Sequence, residues 1–225
     1  MLDFSNLHIG LTNRCRLECP ECTRNQPAAK YIHQMFDIDI SIFKKFLLDC
    51  NPKFILFCGN WGDPIYAGGF LDLIKNLKIS FPTLAISIHT NGSGKRREWW
   101  YSLIELLENN DKLIFSIDGT PDNYFKYRIN SEWNSVEMAI KSCVEAKEQF
   151  KKNVSIEWKY IVFSFNENSI DEAYHLSKTL GFDKFYLQQG LVDNTEGGRY
   201  KWLNTSTDFK IIETRFNERK NNTIL

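Results

Sequence analysis

LTNRCRLECPECTR, Leu11 to Arg24, places Cys15, Cys19 and Cys22 in a C-x3-C-x2-C spacing directly after a short apolar run, Leu7–Leu11. Three thiolates this close in sequence can share one metal centre. A 4Fe-4S cluster normally takes four Cys ligands, so a cluster held by three keeps one iron open. Two other readings fit the same residues. The trio can be most of a zinc site completed by His8 or His33, or it can hold no metal.

The composition narrows the class. The chain has 225 residues, enough for one domain with its own core, and 43% of them are apolar. Lys+Arg and Asp+Glu are both 28. That balance speaks against nucleic acid as a partner, because a grip on its backbone needs a basic excess. Cys50, Cys58 and Cys143 fall on helix-like or strand-like segments and read as small buried apolar residues. The start of the chain, acidic at Asp3, does not read as a signal peptide. No apolar run approaches the ~20 residues that span a bilayer. Free thiols fit a reducing cytoplasm.

Strand-like and helix-like runs alternate along the chain. Strands are expected at Leu7–Leu11, Phe54–Cys58, Leu84–His89, Leu113–Ile117, Val154–Phe163 and Phe185–Gln189, each rich in the residues of buried parallel strands. Helical faces are expected from Phe43, Phe46, Leu47 and Cys50, from Leu73, Ile74 and Leu77, and from Trp100, Leu103, Ile104 and Leu107. Two more come from Val136, Ile140, Cys143 and Val144, and from Ile170, Ala173, Tyr174 and Leu180. The last reads as capped by a Ser169–Glu172 box and stopped by Gly181. Such alternation implies right-handed βαβ units and a parallel sheet, either doubly wound or a partial barrel. A full eight-stranded barrel typically needs ~250 residues. In each architecture the site lies at the carboxyl ends of the strands.

The segments after the expected strands therefore matter most. Strand two runs into Cys58-Gly-Asn-Trp61-Gly62-Asp63-Pro64, which alone is an ordinary Gly/Pro turn. Strand three runs into His89-Thr90-Asn91-Gly92, where Asn-Gly is a strong turn former. Strand four ends in Ser116-Ile-Asp118-Gly119, followed by Arg128, which on its own could be a surface ion-pair residue. Strand five leads to Asn166, and strand six ends in Gln188-Gln189.

In this order the segments resemble the radical S-adenosylmethionine (radical SAM) superfamily. They are most similar to its SPASM and anaerobic sulfatase maturase-type branch. Trp61, Gly62, Asp63 and Pro64 occupy the places of the family's GGEP motif, with Asp for Glu. Thr90-Asn91-Gly92 is similar to the family's Thr-Asn-Gly, and Ser116-Ile-Asp-Gly resembles the branch's Ser-Leu/Ile-Asp-Gly. The resemblance covers roughly residues 5–190. It implies an α/β fold, a partial (β/α)6 barrel of parallel strands, over residues 1–190, with 191–225 as a short C-terminal extension that packs on the barrel or frays. Two departures stand out. Glu21 occupies a place often aromatic in the family, and no Cys follows Cys143, so the cysteines of an auxiliary cluster are missing.

The resemblance also implies a chemistry. Cys15, Cys19 and Cys22 would hold a 4Fe-4S cluster whose open iron binds S-adenosyl-L-methionine. Trp61, Gly62, Asp63 and Arg128 would fix its methionine part, and Ser116 with Asn91 its ribose. Reductive cleavage would give a 5′-deoxyadenosyl radical that takes a hydrogen atom from the substrate, with Asp118 as a candidate catalytic residue. The implied partners are a peptide, protein or small-molecule substrate and a reductase or a flavodoxin- or ferredoxin-type electron donor. A zinc-binding nucleic-acid module and a non-catalytic barrel that binds a partner remain the other readings.

Overall fold

The computed structural model describes residues 4–25, 36–59, 61–190 and 205–222. Six strands form one sheet: β1 (Asn6–Ile9), β2 (Phe54–Phe57), β3 (Ala85–Thr90), β4 (Lys112–Ser116), β5 (Ser155–Val162) and β6 (Lys184–Gln189). Each pairs in parallel with the next, in the order β1-β2-β3-β4-β5-β6. A doubly wound sheet reverses its strand order part-way, and this one does not. With every crossover of the same hand, the helices fall on one face and the sheet curls as a partial barrel.

Five helices lie between the strands: α1 (Ile40–Cys50), α2 (Phe70–Ser80), α3 (Arg97–Leu106), α4 (Trp133–Gln149) and α5 (Ile170–Thr179). The period-2 alternation of a strand divides the sheet residues. Ile86, Ile88, Leu113, Phe115, Ile156, Trp158 and Tyr160 are fully buried beneath the helices. Leu73, Ile74, Trp100, Leu103, Ile104, Val136 and Ile140 meet them from the helical side. Trp100 lies 5.7 Å from Phe115, and Phe182 sits 5.9 Å from Phe115 and 5.3 Å from Trp158, centroid to centroid. On the other face stand Ser87, His89, Ser116, Glu157 and Lys159, which are polar where their neighbours in the chain are apolar. Glu157 accepts from Ser155 Oγ at 2.9 Å and from Lys184 Nζ at 3.2 Å. The concave side is therefore a polar surface rather than a second core.

Two local expectations fail. Phe46 does not join the buried face of α1: it is 41% exposed and stacks on the buried Phe43 at 6.5 Å. The Ser169–Glu172 capping box does not form. Ser169 makes no side-chain cap bond, because its hydroxyl instead accepts from Asn123 Nδ2 at 2.9 Å. Gly181 does stop α5, with φ +85 in the left-handed region and Val144 Cγ1 only 3.0 Å from where a Cβ would stand. A sixth helix, α6 (Phe209–Asn222), lies beyond residues 191–204, which include Trp202 and fall outside the described residues. It buries Ile212 and Phe216, the latter 5.4 Å from Tyr174 of α5 and 5.6 Å from Phe185 of β6. No helix among the described residues is long and apolar enough to cross a membrane.

Phe115→Ala empties the centre of the layer between β4 and α3. It is expected to cost about 3–5 kcal/mol of unfolding free energy, read as a lower urea midpoint at unchanged slope.

Candidate cluster and cofactor site

The loop after β1 carries the three cysteines and is fixed by its own backbone. Cys22 N donates to Cys19 O at 3.1 Å, Asn25 N to Cys22 O at 2.8 Å, and Asn25 Nδ2 to Cys19 O at 3.0 Å. Glu18 N reaches Ile129 O at 3.1 Å, tying the loop to the segment after β4. Leu17, Cys19, Tyr127 and Phe163 form a small buried apolar cluster, with Cys15 and Cys22 packed against it. The Tyr127 and Phe163 rings are 4.4 Å apart.

The three cysteines line one cavity of ≈ 200 Å³. The segments after β2, β3 and β4 also reach it, through Gly62, Asp63, Thr90, Asn91, Ser116 and Arg128. Among the described residues, no group of three His, Cys, Asp or Glu side chains converges to hold a metal ion. A cubane asks for something else, since each thiolate binds a different iron and the sulfurs must surround a space. His8 does not line this cavity, and its Nε2 donates to Cys58 O at 2.7 Å; His33 lies outside the described residues. Burial, and then Asp63, push the Cys15 thiol up to about 11; burial also raises Cys19, against the lowering effect of Arg128. Ligation must therefore release protons from these thiols. A second cleft, ≈ 220 Å³, lies against α5 and α6 with Glu167, Asp171, Arg215 and Arg219 in its wall, but it holds no thiol.

Of the arginines, Arg128 alone among the described ones has a recorded bond to a cysteine sulfur, its Nη1 lying 3.6 Å from Cys19 Sγ. Arg14 pairs with Asp37 at 3.0 Å, Arg16 pairs with Glu132 at 3.2 Å, and Arg24 donates to Leu17 O. Asn91 Nδ2 donates to Cys15 Sγ at 3.4 Å. Arg128 is also locked to Asp118, Nη2 to Oδ2, at 2.6 Å. Asp118, expected as a candidate catalytic residue, stands behind the cavity wall. It is 0% exposed, does not line the cavity, and also accepts from Ile161 N at 3.0 Å.

The segment after β2 lies against the cysteine loop. Asp63 N donates to Arg14 O at 2.9 Å, and a Cβ on Gly62 would collide with the backbone oxygens of Thr12 and Arg14. Only glycine allows that approach. The buried Asp63 carboxylate accepts from Asn91 N at 2.7 Å, Thr90 Oγ1 at 3.0 Å and Ile65 N at 3.3 Å. It thus fastens the turn after β2 to the end of β3, and keeps lone pairs for a ligand. Burial raises its pKa to about 6, against the lowering effect of these hydrogen bonds and of Arg128. Trp61 is half-buried and off the cavity wall, as are Glu21 and the exposed Gln188 and Gln189. Asn166 is fully buried, donating to Asp118 O at 3.0 Å and Ile161 O at 2.9 Å, and Ile161 reaches the cavity in its place.

Several lining residues have no site role in the sequence reading: Cys58, which lines the cavity instead of packing in the core, and Leu17, Gly59, Tyr127, Lys159 and Ile161. The signal for Lys159 was there, a lone cation alternating with Trp158 and Tyr160 in an apolar strand.

No family model matches the chain. By sequence it is similar to the GTP 3′,8-cyclases of two Clostridium perfringens strains, 26% identical over 219 residues, which are 94% of this chain and 62% of each relative. The chain thus spans under two thirds of the relatives it matches. By structure it is similar to anSMEcpe with bound AdoMet, with a TM-score of 0.65, 21% identity, and coverage of 88% of this chain and 55% of that one. Streptococcus suis SuiB gives a TM-score of 0.67 at 17% identity, over 98% of this chain and 46% of that one. The radical S-adenosylmethionine methyltransferase TsrM from Kitasatospora setae is similar too, with a TM-score of 0.59, 11% identity, and coverage of 82% of this chain and 36% of that one. The fold is the radical SAM fold. In the radical SAM barrel of this chain, the cysteine loop and the ends of β2, β3 and β4 share one cavity.

Two outcomes are expected. Asp118→Ala leaves Arg128 as an uncompensated buried charge and should cost about 3–5 kcal/mol in urea unfolding, partly recovered in the double variant with Arg128→Met. For Asp63, the folded pKa of about 6 exceeds the ordinary 3.8. Between those values the folded state binds the extra proton, so stability falls as pH rises from about 4 to 6, by up to about 3 kcal/mol. Asp63→Asn should remove that part of the fall, measured as the difference between the two chains' pH profiles.

Proposed function

We propose that this chain is the core of a radical SAM enzyme that acts on a peptide substrate. The observation that carries this is the shared cavity. Three cysteine sulfurs, a glycine-enabled backbone approach and an ordered set of polar strand ends meet in one place. Cys15, Cys19 and Cys22 would hold the 4Fe-4S cluster. Gly62, Asp63, Asn91, Ser116 and Arg128 would hold S-adenosyl-L-methionine. When bound, the two supply reductive cleavage of the sulfonium and abstraction of a hydrogen atom from the substrate.

The chain's own residues supply placement. Arg128 offsets the negative charge that ligation puts on Cys19, and hydrogen bonds to cluster sulfurs tune potential. Asn91 does the same at Cys15. Asp63 fixes the Asn91 backbone and so the height of that donor. Tyr127, Phe163 and Leu17 keep water from one side of the cysteine loop.

The peptide reading draws on two structures similar to this chain, SuiB bound to precursor peptide SuiA and anSMEcpe bound to the Cp18Cys peptide. The Ser116-Ile-Asp-Gly segment supports it too. The electron would come from a reductase or a flavodoxin- or ferredoxin-type donor, and the compartment would be the cytoplasm, where the free thiols stay reduced.

Anaerobic reconstitution with iron and sulfide should give the broad visible absorbance of an iron–sulfur protein. Dithionite with S-adenosylmethionine should then give 5′-deoxyadenosine. The triple Cys15→Ala, Cys19→Ala, Cys22→Ala chain should lose both, and persistence of either signal removes the assignment.

A further inference from the structure

The concave face holds a cation with no counter-ion. Lys159 lines the cavity, yet among the described residues no carboxylate pairs with it. Of the other charges at the cavity, Arg128 pairs with Asp118 at 2.6 Å, and the Asp63 carboxylate is held by the neutral donors Asn91 N, Thr90 Oγ1 and Ile65 N and forms no ion pair with Lys159. Its recorded polar neighbour is His89, whose Nδ1 lies 3.4 Å from Lys159 Nζ. An ammonium can only donate, so Nδ1 accepts and His89 carries its proton on Nε2, where it is a donor with no recorded partner. Burial, with Lys159 and His8 nearby, lowers the His89 pKa to about 4 and keeps the ring neutral. Ser116 stands in register with Lys159 on the neighbouring strand and also lines the cavity. The site thus offers one positive charge and two or three hydrogen-bond donors.

We propose that Lys159, with His89, binds the carboxylate of an acidic side chain in the substrate. This rests on the peptide reading above and deepens it: the substrate carries Glu or Asp next to the position attacked. Three features point to it. A desolvated cation facing a cavity is costly until an anion joins it. A single charge with a neutral donor matches a monoanionic carboxylate rather than the multiple charges of a nucleotide triphosphate. Lys159 also lies within β5, three positions before its last residue Val162, whereas Asp63 and Asn91 sit at or past the ends of β2 and β3. It reaches the cavity from inside the barrel and makes no recorded bond to the three cysteine sulfurs.

Equilibrium dialysis on the reconstituted protein, with and without S-adenosylmethionine, tests this with labelled Ac-Gly-Gly-Glu-Gly-Gly-NH2 and its Gln twin. The Glu peptide should bind about tenfold or more tightly, as charge-assisted bonds allow. Lys159→Gln should erase the difference, Lys159→Arg should keep part of it, and His89→Gln should reduce it. Affinity for S-adenosylmethionine should stay the same in Lys159→Gln. Equal binding of the twins by the native chain overturns the proposal, and that comparison needs no variant to fold. A fall in S-adenosylmethionine affinity matching the loss for the peptide overturns it by making Lys159 a cofactor ligand. Tighter Lys159-dependent binding of GTP than of the Glu peptide overturns it in favour of a phosphate site. Failure to bind S-adenosylmethionine at all counts against the proposed function, and the Glu/Gln comparison still decides this proposal separately.

Discussion

Consecutive parallel pairing is the constraint on which this molecule depends. Because β1 to β6 run in sequence order, the right-handed crossovers place the helices on one side of the sheet. That side receives the branched and aromatic residues and becomes a single core. The other side is freed from packing and can hold His89, Ser116, Glu157 and Lys159 at no cost to that core. The same ordering brings the loops after β1, β2, β3 and β4 side by side. The cavity follows from topology before any one residue is chosen for chemistry.

Charge at the cavity is arranged as one ion pair, one carboxylate held by neutral donors, and one exception. Arg128 is held between Asp118 and Cys19 through its two terminal nitrogens, and its buried Nε has no hydrogen-bond partner among the described residues. A positive group beside a thiol favours the thiolate, and burial opposes it. The trio is therefore disposed toward ligation only where Arg128 or Asn91 donates. Lys159 is the exception, lacking an acid of its own among the described residues.

Much of the fold could be read from the chain because each strand is a short apolar run and each crossover a clear amphipathic pattern. The strand bounds shift by two residues at most. Strand order could not be read, since periodicity is silent on neighbours; only the family resemblance favoured a barrel. Phe46 shows the limit of face-counting: α1 flanks an edge strand, so its apolar face is only partly covered. Ser169 shows another, because a distant Asn123 competes for the hydroxyl that local sequence assigned to a cap. The cysteines, Asp63, Asn91 and Ser116 were legible because chemistry concentrates at strand ends. The pairing of Asp118 with Arg128 was not legible, because the motif says nothing of Arg128 folding back over it. Lys159 went unnoticed inside a strand counted as core.

The cysteine loop hangs from β1, four residues long, at the edge of the sheet and paired on one side only. Edge segments of this kind open by themselves far more often than a core unfolds. Were the proposed cluster bound there, its retention would be set by local opening of this border and by the loop's ties to Asp63 N and Ile129 O, while the body of the protein stays intact. A chain that had shed its iron would still keep its buried aromatic layer, and could be refilled without having to refold.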